Sequence, residues 1–258
     1  MKTIYTFGNG NAEGRADMKE LLGGKGANLA EMNLIGVPVP PGFTITCDVC
    51  KIYNEQGREA VVNLIKEDVI KSVHHIESLT GCKFNDPENP QLVSVRSGAP
   101  VSMPGMMDTV LNLGINDEVA ATLAKKSGNE RFAWDSYRRF VQMYGDVVLG
   151  MKPQNKTDID PFEEIIESVK AQKGVKFDTE LDVEDLKLLV KLFKEAVKKS
   201  TGKDFPVNAW DQLWGAIYAV FDSWNNERAI LYRKMNQIPE SYGTAVNVQA
   251  MVYGNMGN

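Results

Sequence analysis

The sequence predicts an α+β fold with a mostly helical middle insertion, on three observations. Residues 1–115 alternate short apolar runs with glycine and proline punctuation, the pattern of strands and helices joined by tight turns. From 117 to 150 the apolar period lengthens to about 3.6 residues, which marks amphipathic helices. Residues 244–253 then return to a β-rich run, Thr244-Ala245-Val246-Asn247-Val248-Gln249-Ala250-Met251-Val252-Tyr253.

The elements follow in order. Gly8-Asn9-Gly10 is a turn, and the cluster Gly23-Gly24-Lys25-Gly26 precedes a helix predicted over 27–35, which stops at Gly36-Val37-Pro38. Val37-Pro38-Val39-Pro40-Pro41-Gly42 is a stiff extended connector, because proline fixes φ and biases its predecessor to extended geometry. A strand is expected over 43–46, two helices over 48–79, and a buried strand over 92–96 that opens into a loop. In the helical part, Phe132, Ala133, Ser136, Tyr137, Phe140, Val141, Tyr144 and Val148 share one face and read as core. Residues 152–160 read as a linker within the polar stretch 151–203. Asp178, Glu180, Asp182, Glu184 and Asp185 precede a helix whose end carries Lys194, Lys198 and Lys199. Acid at the start and base at the end complement the helix macrodipole, so this cluster is a solvated cap rather than a metal site. Trp210, Trp214, Phe221 and Trp224 mark apolar helices. The chain ends on Gly254-Asn255-Met256-Gly257-Asn258, so 244–253 is expected as an exposed edge of a sheet cut short, open to self-association by strand pairing.

Composition narrows the function. With 43% apolar and 24% charged residues, the chain is neither disordered nor a disulfide-dense mini-protein. A net charge of −5 lacks the broad basic field that nucleic-acid binding requires; only a local basic site for a small phosphorylated ligand remains. No run of about 18 apolar residues and no N-terminal leader is present, so a cytoplasmic protein without membrane or nucleic-acid partners is expected. Cys47-x-x-Cys50 has redox or zinc spacing, with His74, His75 and Cys82 as conceivable further ligands. No second pair closes such a site, so the cysteines are expected as reduced thiols, two of them on a helix. The histidines are adjacent, about 100° apart on a helix, and read as surface residues.

Three features fit phosphate chemistry. Gly23-Gly24-Lys25-Gly26 opens a helix, where glycines allow close backbone approach, helix N–H groups face an anion, and a lysine adds mobile charge. It lacks the G-x-x-x-x-G-K-[ST] spacing, and an ordinary glycine turn explains it equally well. Arg96 ends an apolar strand, where a guanidinium is costly unless it meets a carboxylate or a phosphate; a structural Arg–Asp pair is the plain alternative. Ser102-Met103-Pro104-Gly105-Met106-Met107-Asp108-Thr109 reads either as a pliable lid that excludes water from a transferring phosphoryl group or as methionine plugging a core gap.

Taken together, Leu21-Leu22-Gly23-Gly24-Lys25-Gly26-Ala27-Asn28-Leu29-Ala30-Glu31-Met32, Val93-Ser94-Val95-Arg96-Ser97-Gly98-Ala99, the 102–114 stretch, Arg131-Phe132-Ala133-Trp134-Asp135 and Gly243-Thr244-Ala245-Val246-Asn247-Val248-Gln249 resemble the pyruvate, phosphate dikinase family over nearly the whole chain. The resemblance implies an ATP-grasp nucleotide-binding domain, cut before its last strands, at the start of a longer enzyme. It implies 1–115 as a first α/β subdomain with glycine loops, 116–203 as a helical subdomain, and 204–258 as the start of the second ATP-grasp subdomain. Such enzymes convert ATP, pyruvate and phosphate to AMP, phosphoenolpyruvate and pyrophosphate with Mg2+, whose ligands are expected beyond residue 258. A carrier-histidine domain and a pyruvate-binding domain complete the full-length enzyme, which is expected to be a homodimer. By resemblance, Lys25 and Arg96 hold ATP phosphates as the catalytic cations, Gly105, Met106, Met107, Asp108 and Thr109 close over the terminal phosphates, and Gln249 and the backbone near Met251 lie beside the adenine. The chain alone is expected to be a fragment without full activity. The alternatives are a fragment of phosphoenolpyruvate synthase, which uses water in place of phosphate, and a non-catalytic binding module.

Overall fold

The computed structural model describes residues 1–153 and 159–253. The expected 254–258 turn, and most of the expected 152–160 linker, lie outside the described residues. The first strand, β1 (Ile4–Gly8), turns through Asn9 and Gly10, both at positive φ, into the two-residue β2 (Asn11–Ala12); Asn-Gly supplies the backbone that a two-residue hairpin loop demands. Helix α1 (Lys19–Leu34) follows and is broken at Gly23. Strand β3 (Gly42–Ile45) leads into α2 (Cys47–Thr80), whose break at Gly57, φ 81°, makes it the two helices expected. Next come β4 (Val93–Gly98) and β5 (Thr109–Leu113).

The helical part comprises α3 (Asp117–Ser127), α4 (Glu130–Val147), α5 (Pro161–Lys173) and α6 (Val183–Thr201). Their starts are set by Asn116, Asn129, Asp160 and Asp182, each accepting first-turn N–H groups. The α4 stripe is core as expected, with Ala133, Tyr137, Phe140 and Val141 at most 1% exposed. The acidic cluster before α6 acts locally: the Asp182 carboxylate caps the helix. After α7 (Ala209–Ser223) and α8 (Glu227–Met235), the chain returns as β6 (Ala245–Ala250).

The six strands form one antiparallel sheet in the order β2-β1-β3-β6-β4-β5. This corrects the expectation of an exposed edge at 244–253. Strand β6 is interior, its backbone paired with β3 on one side and β4 on the other, so it offers no free ladder for self-association. The alternation of β6 divides its side chains: Val246, Val248 and Ala250 join the apolar core with Phe43, Ile45, Val93 and Val95, while Asn247 and Gln249 point to the opposite face. On that face Thr44, Ser94, Asn247 and Gln249 are all buried beneath α1, since a Cβ on Gly26 would lie 2.8 Å from the Thr44 side chain and 3.0 Å from the Asn247 carboxamide oxygen. One side of the sheet is oil and the other is polar.

The helical part holds one strained carboxylate. Asp146, near the end of α4, has a buried Oδ1 without a hydrogen-bond partner. Burial, then the Asp160 and Glu163 charges, outweigh Lys152 and push its pKa up to about 7. An unfolded aspartate titrates near ~3.9. Between those values the folded chain keeps a proton that the unfolded chain releases, so stability falls as pH rises through that window. Asp146→Asn is expected to raise the melting temperature at pH 8 and to change it little at pH 4.5; equal shifts at both values in a thermal melt would refute the account.

Candidate functional site

The site grows from the break in α1. Gly23 sits at φ 68°, ψ 164°, a region essentially restricted to glycine, and the helix restarts at Gly24. That restart is pinned to the loop after β4, where the Gly24 N–H donates to the Ala99 carbonyl at 2.8 Å. The approach is close enough that a Cβ at Gly23 would lie 1.7 Å from the Gly98 carbonyl oxygen. The N-terminal end of a helix, with its partial positive charge, therefore faces the strand end that carries Arg96.

A cleft of about 530 Å³ opens there, lined by Gly24, Lys25, Asn28, the 97–99 backbone, Met103, Gly105, Met107 and Thr109. The Lys25 ammonium donates to the Ser97 carbonyl at 2.8 Å. Its burial, and then the charge of Arg96, bring its pKa down to about 8. Arg96 lies on the polar sheet face, directly across from Thr109 in β5 and Asn247 in β6. Among the described residues its side chain has no hydrogen-bond or ion-pair partner. The expected Arg–Asp pair is not found among the described residues; Arg96 does not itself line the cleft, but it stands near enough to Lys25 to lower that lysine's pKa. Such an arrangement is unfavourable until an anion arrives.

In the 102–109 loop the structure shows the methionine plug, and several of its residues line the cleft. Met103 is 6% exposed and part of the core, and Met106 and Met107 pack against it; this is the plug. Gly105, at φ 72° with open space around it, and Met107 and Thr109 form a wall of the cleft. Met106 and Asp108 do not line it. The Met106 carbonyl accepts from the Asn226 carboxamide at 2.9 Å, and Asp108 lies 3.7 Å from the Lys152 ammonium.

Gln249 and Met251 are not brought to this cleft. The Gln249 amide donates to the Pro40 carbonyl at 3.0 Å, and the Met251 N–H donates to Leu92 at 2.9 Å. A residue not singled out by sequence reasoning is Asn247, fully buried beside the site. Its Oδ1 accepts from Thr44 at 2.9 Å while its Nδ2 has no partner. The signal available was the Val-Asn-Val-Gln alternation, which places amides opposite a core face.

The cysteines take no part. Cys47 and Cys50 are buried in the first turn of α2, and burial raises their pKa values to about 12 and about 11. Both stay thiols at neutral pH, inert to redox and metal chemistry that runs through thiolate. His74 is exposed and His75 partly so, as expected of surface residues.

A polar sheet face, a lysine in the cleft with a second cation beside it and a helix start pinned by glycine are features suited to the nucleotide-binding class. Residues 19–257 match the family described as "Pyruvate phosphate dikinase, AMP/ATP-binding domain", and the chain belongs to that family. It is 52% identical over 257 residues to pyruvate, phosphate dikinase of Clostridium symbiosum, covering 99% of this chain and 28% of that protein. It is 53% identical to the Rhizobium meliloti (strain 1021) enzyme, with 100% and 28% covered, and 52% identical to the chloroplastic pyruvate, phosphate dikinase 1 of Arabidopsis thaliana, with 100% and 26% covered. The chain thus spans little more than a quarter of the length of these relatives.

Proposed function

We propose that this chain is the ATP-binding, phosphoryl-donating part of a pyruvate, phosphate dikinase with an ATP-grasp fold. The observation that carries the reading is Lys25 lining a cleft, with Arg96, which has no side-chain partner among the described residues, near enough to lower the Lys25 pKa. Phosphoryl transfer asks a protein for positioning and charge neutralisation more than for covalent chemistry. A lysine, an arginine and a helix N-terminus are suited to both, and Gly105, Met107 and Thr109 wall the cleft. The whole reaction, ATP with pyruvate and phosphate to AMP, phosphoenolpyruvate and pyrophosphate, requires a carrier-histidine domain and a pyruvate-binding domain, which fit the length of the relatives outside the match. A homodimer is proposed for that longer enzyme.

The division into 1–115, 116–203 and 204–258 is proposed as two α/β pieces around a helical insertion, with β6 of the last piece laid into the sheet of the first. Mg2+ is proposed to accompany the nucleotide, with its protein ligands outside residues 1–258; among the described residues no group of three His, Cys, Asp or Glu could hold a metal ion. A cytoplasmic site of action suits three unpaired thiols, and no described helix is long and apolar enough to cross a membrane. The water-dependent phosphoenolpyruvate synthase reading is less favoured because the relatives named above are phosphate dikinases.

Calorimetric titration with MgATP tests the reading. Burial and Arg96 bring the Lys25 pKa down to about 8, and a bound polyphosphate raises it. Saturable binding is therefore expected to take up protons as the pH is raised through that region, read from the dependence of binding heat on the buffer's ionisation heat, and Lys25→Ala is expected to abolish that uptake and weaken binding. A folded chain that binds no MgATP would reduce the module to a structural one, and unchanged affinity in Lys25→Ala would remove Lys25 from the phosphates.

A further inference from the structure

We infer that Asn226 is a positioning residue for the cleft: its carboxamide holds the 103–109 loop in the place where it walls the anion site. Asn226 precedes α8, and its Oδ1 accepts the Ala229 N–H at 2.7 Å as the helix cap. Because that partner is an N–H, the oxygen is fixed on the helix side and the Nδ2 donor is turned outward. It meets the Met106 carbonyl at 2.9 Å, 120 residues away in the chain. Serine and aspartate cap about as well as asparagine, but aspartate has no donor when ionised and the serine hydroxyl ends one atom short of the carboxamide nitrogen, so asparagine is the capping residue suited to both contacts.

The anchor itself is braced. Asp222, four residues earlier, accepts from the Tyr53 hydroxyl at 2.8 Å and the Arg58 guanidinium at 3.1 Å, and Asn225 donates to Asn54 at 3.0 Å. Three links thus fasten the α7–α8 junction to α2, and the junction passes that rigidity to the loop through one amide. Behind the loop a cavity of about 180 Å³, bordered by Asp108, Asn226 and Asp222, leaves space into which the wall can shift once released. The positioning role rests on the nucleotide reading above; the hold on the loop does not.

Two variants separate the cap from the hold. Asn226→Asp keeps the capping oxygen and loses the donor; Asn226→Ser also keeps a capping oxygen and is one atom short of Met106. Amide hydrogen exchange on the 258-residue chain without ligand is expected to quicken about fivefold at Met106 and Ser97, whose amides are bonded to Met103 and Asp108, with Ala229 unchanged. MgATP affinity is expected to fall about fivefold in both variants while the melting temperature holds. Unchanged loop exchange, or equal loss of protection at the loop and at Ala229, would overturn the inference, and so would faster loop exchange with unaltered affinity. If the folded parent binds no MgATP, the nucleotide reading and the positioning role fall together, and the exchange data still decide whether Asn226 holds the loop.

Discussion

Arg96→Ala is expected to weaken MgATP binding by about thirtyfold or more without lowering thermal stability. The two readouts part because of what surrounds the guanidinium. A structural arginine is held by acceptors, and deleting it leaves them unpaired, which costs about 1–3 kcal/mol of stability. Arg96 has no such acceptor among the described residues; it does stand near Lys25, whose pKa it lowers. Truncation therefore relieves a like-charge contact in the free chain, and the melting temperature should stay level or rise. On the proposed reading the bound state loses a charge-assisted phosphate contact, worth about 2 kcal/mol or more. A linked effect follows: with Arg96 gone, Lys25 regains part of its ordinary basicity, so proton uptake on binding at pH 8 should shrink. Calorimetry beside thermal unfolding checks both. Loss of stability matching the loss of affinity would make Arg96 a structural residue after all, and Arg96→Lys should recover charge but only part of the affinity, because ammonium lacks the planar fork.

How much of this was legible in the sequence depends on the range of the interaction. The α4 stripe and the awkwardness of Arg96 are local, written in period and burial cost, and the structure agrees with each; the helix expected over 27–35 instead starts at Lys19, breaks at Gly23 and runs to Leu34. The interior place of β6 was not legible. It depends on pairing Val246 with Ile45 and Ser97, partners about 150 to 200 residues away, and local pattern tells a strand from a helix without telling a centre from an edge. Strand β5 was missed for a different reason: Asn112, at φ 57°, interrupts the alternation that marks a strand. The tie from Asn226 to Met106 escaped because the motif before α8 reads as an ordinary cap, and only the fold shows that the cap's second atom is spoken for. The same holds for Asp146, one carboxylate among many until burial sets it apart.

Within Gly23-Gly24, the first glycine is expected to be indispensable to folding and the second only to the cleft. Gly23→Ala should cost about 4 kcal/mol, a fall of about 10 °C in melting temperature for a chain of this size. Two independent penalties add there. The φ 68°, ψ 164° backbone is essentially closed to residues with a Cβ, and the methyl would lie 1.7 Å from the Gly98 carbonyl oxygen, a backbone atom at the end of β4 whose residue is paired with Ala245 of β6. Gly24 is the internal control. A methyl there meets only the Ala99 and Pro100 carbonyl oxygens at 3.6 and 3.7 Å, ordinary contact, and in a helical position alanine is favoured over glycine by up to about 1 kcal/mol. Gly24→Ala should therefore melt no lower than the parent. Because Gly24 lines the cleft, the same methyl takes space from the anion, and MgATP affinity should drop although stability does not. Equal effects of the two substitutions on melting temperature would mean that the helix does not restart at Gly24, and with it would go the argument that a glycine-forced break aims a helix end at the phosphates.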